Sequence, residues 1–118
     1  VLPAEAAAPM LLHQKLSVRL AEVVFDVHDA GVLGAVGCHT TLRRDATLLD
    51  GVVFLADKIA WDQAGVPPYL DDVRAGLTVS LDAGICAYLR HLWAQRDTMP
   101  AVHPWFADAY AQRCAVTP

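Results

Sequence analysis

Three side chains in this 118-residue chain are chemically capable and fall where the residue pattern points inward: His13, His39 and Asp57. Asp57 continues the series Leu49, Val53, Asp57, Ala60, whose three- and four-residue steps place side chains on one face of a helix. A carboxylate removed from water is costly unless a cation or several donors answer it. Two readings of Asp57 stand: a structural ion pair or helix-end hydrogen bond, and a metal-binding or catalytic role. His39 closes a second apolar face begun by Val32 and Val36, and His13 stands at the edge of a third, next to Leu12. Either histidine alone reads as a satisfied core residue. Two imidazoles and one carboxylate on inward faces of successive helices are the ligand types that suit iron, manganese or zinc, and helix bundles build such sites in their cores.

Thr40, Thr41, Arg43 and Arg44 form a short polar segment after His39. Guanidinium forks and hydroxyls of that kind hold phosphate, although an ordinary solvated loop has the same composition. Lys58, beside Asp57, is a further candidate for an anion. The other histidines read as structural or solvated: His28 in a turn, His91 off an apolar stripe, His103 just before a helix start.

The elements that must position these groups read as helical throughout. Leu12, Leu16, Leu20, Val23 and Val27 recur at helical steps and predict a first core-facing stripe. Asp29 is placed to cap a second, glycine-rich helix carrying Val32, Val36 and His39. Thr47 and Asp50 have capping-box spacing and open a third helix, so Val52-Val53-Phe54-Leu55 is read as helix and not as a buried strand. Gly65-Val66-Pro67-Pro68 is a turn. One long helix is expected from about residue 69 to 96, with Val73, Leu77, Leu81, Ile85, Tyr88 and Leu92 inward. Pro104 suits the first position of a last helix whose Phe106, Ala109 and Tyr110 face the core. The expectation is one all-α domain over residues 1–118 with about five helices.

Composition narrows the function classes. A net charge of −4 supplies no broad basic field for a nucleic-acid backbone. With 55% hydrophobic and 19% charged residues and a mean hydropathy of +0.33, the chain is not of the disordered class. The same apolar excess favours self-association, so a homo-oligomer is an expected partner state. The longest strongly apolar run, Val52 to Ala56, falls far short of a bilayer span. The opening segment has Glu5 and no basic stretch, unlike a secretory signal, and it begins with Val, which reads as a fragment or a misplaced start. Three scattered cysteines, Cys38, Cys86 and Cys114, form no CxxC pair and predict buried thiols in a reducing, cytoplasmic setting.

Several short motifs, in order, resemble those of the HD-domain metal-dependent phosphohydrolases, in particular the bacterial YqeK-like branch, the symmetrical bis(5'-nucleosyl)-tetraphosphatases. They are Leu11-Leu12-His13, Ala35-Val36-Gly37-Cys38-His39-Thr40-Thr41 and Leu55-Ala56-Asp57-Lys58-Ile59, followed by Trp61-Asp62-Gln63, Pro67-Pro68-Tyr69 and His103-Pro104-Trp105. The likeness runs through nearly the whole chain. It implies an HD-type helical fold with two metal ions, typically iron, with manganese and zinc as the other candidates. It implies cleavage of diadenosine tetraphosphate into two ADP. By match, His13, His39 and Asp57 are the implied metal ligands, with His39 and Asp57 at the reaction centre. Thr40, Thr41, Arg43 and Lys58 are placed near the nucleotide's phosphates.

The family's upstream ligand histidine and its His-Asp doublet have no counterpart before His13, and His28-Asp29 comes in the wrong order. Leu42 stands where the branch usually has glycine. The chain therefore reads as the C-terminal portion of such a domain, without its first helices and with three of the expected ligands. Slow hydrolysis or none is expected of it alone, because a bridging hydroxide needs both ions. The rival reading is a non-catalytic helical module for self-association or protein binding. A mononuclear iron oxygenase using the same three ligands is a weaker third, since that chemistry usually sits on β-barrels.

Overall fold

The computed structural model of the chain describes residues 1–114. Three helix starts that carry a capping side chain are found where the sequence places them. Asp29 accepts from the Val32 N–H at 3.0 Å. Thr47 and Asp50 form the reciprocal capping box. His103 caps the helix that begins with Pro104.

Seven α-helices result among the described residues: α1 (Pro3–Ala7), α2 (His13–Val23), α3 (Ala30–Gly37), α4 (Leu48–Ile59), α5 (Leu70–Leu77), α6 (Leu81–Trp93) and α7 (Pro104–Arg113). Short 3-10 turns precede α2 and follow α6, and no strand occurs among the described residues.

The expected long helix over 69–96 is two helices. Ser80 caps α6 by accepting from the Ala83 N–H at 3.0 Å, and its extended backbone breaks the helical path. Gly76 makes the close return possible, since a Cβ there would lie 2.6 Å from the Ala83 carbonyl oxygen. The stripe reaches the core on either side of the break but not at it: Leu77, expected inward, is exposed, and Leu81 is half-buried. Val73, Ile85, Tyr88 and Leu89 are buried in the core with Leu42, Phe54 and Phe106.

Three other expectations change. On α2 the stripe does not face the core: Leu16, Leu20 and Val23 are exposed, as are Val24 and Phe25 beyond it, and the fully buried residue is Gln14. The reason lies in packing, since α2 packs chiefly against α3 and the turn before it. On α4 the core face is Asp50, Gly51, Phe54, Leu55 and Lys58, leaving Leu49, Asp57 and Ala60 on the outer side. Two buried charged residues on that face displace the apparent apolar stripe by part of a turn.

The third change concerns the cysteines. Cys86 on α6 and Cys114 after α7 are paired as a disulfide, with Cα atoms 5.6 Å apart, and Cys38 alone is a buried free thiol. Burial pushes the Cys38 thiol up to about 11, with the neighbouring Asp50 charge adding to the effect. No helix among the described residues is long and apolar enough to cross a membrane.

Candidate metal centre

The motifs that bear histidine meet at one edge of the bundle. His13 is the first residue of α2. His39 does not lie on a helix as expected; α3 ends at Gly37, and His39 sits in the turn that follows. That turn is held by Gln14, whose Oε1 accepts from the Thr40 N–H at 3.1 Å and whose Nε2 donates to Thr41 Oγ1 at 3.0 Å. Gln14 is fully buried, so this clamp sets the position of His39 relative to His13.

The two rings approach edge to face, with Nε2 to Nε2 at 3.0 Å. Each Nδ1 lies 2.6 Å from a backbone carbonyl, Met10 for His13 and Val36 for His39. A carbonyl only accepts, so both Nδ1 atoms carry hydrogens, and an Nε2 without a proton presents its lone pair to the other ring. Two facing lone pairs repel unless a proton or a cation lies between them. Nitrogens bound at about 2.1 Å to one cation stand about 3.0 Å apart at a right angle and about 3.4 Å apart in a tetrahedron. The observed separation fits the first of these. Carbonyl-anchored Nδ1 is also the usual outer support of a metal-binding histidine. On donor chemistry, the imidazole pair fits a divalent transition metal.

Asp57 is different. Its side chain is about half exposed, and its Oδ2 accepts from Lys58 Nζ at 2.8 Å. The premise of a carboxylate forced among aliphatics does not hold for Asp57; the buried carboxylates are Glu5 and Asp50. Still, Asp57 lines the same open pocket of about 450 Å3 as His13, His39, Thr40 and Lys58. Among the described residues, no three His, Cys, Asp or Glu side chains converge closely enough to hold an ion together. Lys58 engages Asp57 through Oδ2 alone, which leaves Oδ1 without that contact.

The candidate phosphate contacts separate into two groups. Thr40 places Oγ1 3.0 Å from His13 Nε2, inside the pocket. Lys58 is buried, donates to the His39 carbonyl at 2.8 Å and lies 4.6 Å from the Phe54 ring centre, so it braces the site. Burial lowers its pKa, opposed by the Asp57 carboxylate. Thr41 is turned inward toward Gln14 and the Leu42 carbonyl. Arg43 donates through Nε to the buried Asp50 at 2.9 Å and is not part of the pocket lining.

Sequence reasoning passed over Gln14 and, although it named Trp61, Tyr69 and Tyr88 in motifs or on an inward stripe, did not place them on the wall of this site. Gln14 lies on the face of α2 opposite the Leu12, Leu16, Leu20 stripe, so the apolar pattern carried no signal for it.

The described fold closely matches the crystal structure of a predicted HD superfamily hydrolase involved in NAD metabolism from Clostridium acetobutylicum, with a TM-score of 0.83 over 99% of this chain and 61% of that one. The described residues share the fold of that structure. Sequence identity over the HD-type match is 21%, so the likeness is one of fold. An uncharacterized protein in the pepC 5' region of Lactococcus lactis subsp. cremoris is 38% identical over 109 residues, 92% of this chain. The chain spans 55% of that relative's length. No protein-family model matches the sequence.

Proposed function

We propose that this chain carries part of a metal-dependent phosphohydrolase site acting on nucleotides, with dinucleoside polyphosphates such as diadenosine tetraphosphate as substrate class and ADP as product. The supporting observation is the pair of Nε2 lone pairs, each oriented by an Nδ1–H donated to a backbone carbonyl, facing each other at 3.0 Å. The motif resemblance and the HD-type fold support the same reading.

His13 and His39 are the residues to hold the ion, with Asp57 as the adjoining carboxylate. A divalent metal, iron by the resemblance and otherwise manganese or zinc, supplies charge neutralisation at phosphoryl oxygens and a more acidic water when bound. The protein's own groups do the rest. Gln14 fixes the His39 turn, and Lys58 braces it from below while holding Asp57 on the pocket wall. The Thr40 hydroxyl is the donor nearest an entering phosphoryl oxygen. Asp57, open to solvent on one side, is placed to take the proton of the attacking water. Cleavage adds one water across a P–O–P bridge, so one diadenosine tetraphosphate gives two ADP.

The test is metal loading followed by assay. Purified chain, stripped and reconstituted with Fe(II), Mn2+ or Zn2+, is examined by elemental analysis and thermal melting, and then for ADP release from diadenosine tetraphosphate. A ligand at about 100 times its Kd stabilises by about 2.7 kcal/mol, a shift of several degrees. That shift is expected in the wild type and is absent in His13→Ala and His39→Ala. ADP release belongs to the chain extended by the upstream ligand helices, assayed in parallel; there its loss in Asp57→Asn carries the nucleotide part, while the chain alone is expected to release ADP slowly or not at all. Failure of all three metals to bind overturns the proposal.

A second reading has one observation in its favour. Leu16, Leu20, Val23, Val24 and Phe25 form an exposed apolar face on and after α2, larger than isolated surface leucines explain. A second copy of the chain is the proposed cover, in keeping with the apolar composition. Sedimentation of wild type against Leu20→Glu tests it: a dimer dispersed by the charge is expected, and a monomer at all concentrations rules it out.

A further inference from the structure

Cys86 lies in the middle of α6 and Cys114 is the C-cap residue of α7; neither lines the histidine pocket. Both are buried, and their Cα atoms stand 5.6 Å apart, a span that two sulfurs bridge without moving the backbone. Ala109 is the last buried residue within α7, so Cys114 is the anchor of the end that bears Gln112 and Arg113.

That end holds the entry to α4. Gln112 accepts from the Asp45 N–H at 2.8 Å and donates to Asp45 Oδ1 at 2.6 Å. Arg113 donates to the Ala46 carbonyl at 3.3 Å and pairs with Asp82 at the start of α6. Asp45 has a left-handed φ of 55°, a conformation that persists in a non-glycine residue where its surroundings fix it. Asp45 and Ala46 are the link between the His39 turn and the capping box of α4, the helix that carries Asp57.

We propose that Cys86 and Cys114 are a redox latch: their disulfide holds the α7 end against the 45–46 link, and its reduction releases both. Closure is thiol–disulfide exchange with a small disulfide such as glutathione disulfide. One cysteine thiolate attacks it and expels a glutathione thiolate; the second cysteine thiolate attacks the mixed disulfide and expels the other. Two cysteine thiols are oxidised, two glutathione thiols form, and the two protons pass to them. A dithiol reverses the exchange. Access comes from the helix end, because terminal turns open at little free-energy cost. Cys38, fully buried and without a cysteine partner, stays a thiol in both states.

The experiment equilibrates the native chain with glutathione disulfide or with dithiothreitol, then blocks free thiols with N-ethylmaleimide in denaturant. Mass spectrometry is expected to find one adduct after glutathione disulfide, at Cys38, and three after dithiothreitol. Amide hydrogen exchange is read on the same two states. Reduction is expected to speed exchange at Asp45 and Arg113 by about tenfold or more, as local opening of a released segment does, while α3 is unaffected. Cys114→Ser is expected to exchange like the reduced wild type under either reagent, and Cys38→Ser to follow the wild type. The wild type under the two reagents carries the test by itself if a variant fails to fold. Three adducts after glutathione disulfide, reduction that occurs only in denaturant, or Asp45 exchange indifferent to redox state overturns the latch.

Discussion

His103 and Glu5, separated by 98 residues, meet in a buried hydrogen bond of 3.0 Å that fastens α1 to the start of α7. The Glu5 carboxylate also accepts from the Leu2 N–H at 2.8 Å and from Lys15 Nζ at 3.0 Å. Burial pushes its pKa up, but the hydrogen bonds from Leu2, His103 and Lys15 and the Lys15 charge outweigh this and bring it down to about 2.

A carboxyl whose pKa falls on folding stabilises the folded state above its unfolded value and loses that contribution as pH falls through the folded one. Stability should therefore hold above pH 4.5 and decline from there toward about 2. Glu5→Gln, which keeps the shape and removes the charge, should be less stable at pH 7 and lack this part of the acid decline. Urea unfolding of both proteins from neutral to acid pH checks it. Parallel curves would show that Glu5 does not contribute.

Lys58 ties Asp57 and the His39 carbonyl together, each at 2.8 Å. Lys58→Met should lower metal-free stability by about 1–2 kcal/mol, the usual cost of leaving a buried acceptor without its donor. It should at the same time increase the stabilisation gained on adding Mn2+, because the Asp57 carboxylate is released toward the imidazoles. Melting with and without metal reads both effects. An unchanged or smaller metal gain would remove Asp57 from the ligand set.

Leu42, where the resembled branch usually has glycine, has a positive φ of 61° and a fully buried side chain. The left-handed backbone costs about 1–2 kcal/mol, whereas emptying a buried leucine site costs about 2–5 kcal/mol. Burial wins. Leu42→Gly is expected to destabilise by about 2 kcal/mol despite relieving the backbone, as measured by denaturant midpoint at unchanged slope.

Gly76 faces the α6 backbone so closely that a Cβ would sit 2.6 Å from the Ala83 oxygen and 2.8 Å from the Gly84 nitrogen. Neither atom can move without shifting α6. Gly76→Ala should therefore destabilise by about 1–3 kcal/mol, even though alanine is the better helix former. Calorimetry decides it; a stabilised variant would mean that the two helices separate easily.

The all-α class and the capped starts of α3, α4 and α7 were legible in the residues, because capping and turn chemistry are local; His13 and His39 were grouped by residue type and motif resemblance, not by local chemistry. Asp29, Thr47, Asp50 and Pro104 each act within a few residues of themselves. What tertiary structure decided is which face of each helix is covered. Periodicity on α2 and α4 marks apolar faces, but burial depends on a neighbour supplied from elsewhere in the chain. On α4 that neighbour brings Arg43 to Asp50, so a carboxylate goes inside and Asp57 stays out. Ring orientation in the His13–His39 pair was equally beyond the sequence, since it depends on carbonyls of Met10 and Val36 that every residue possesses and only the folded path directs.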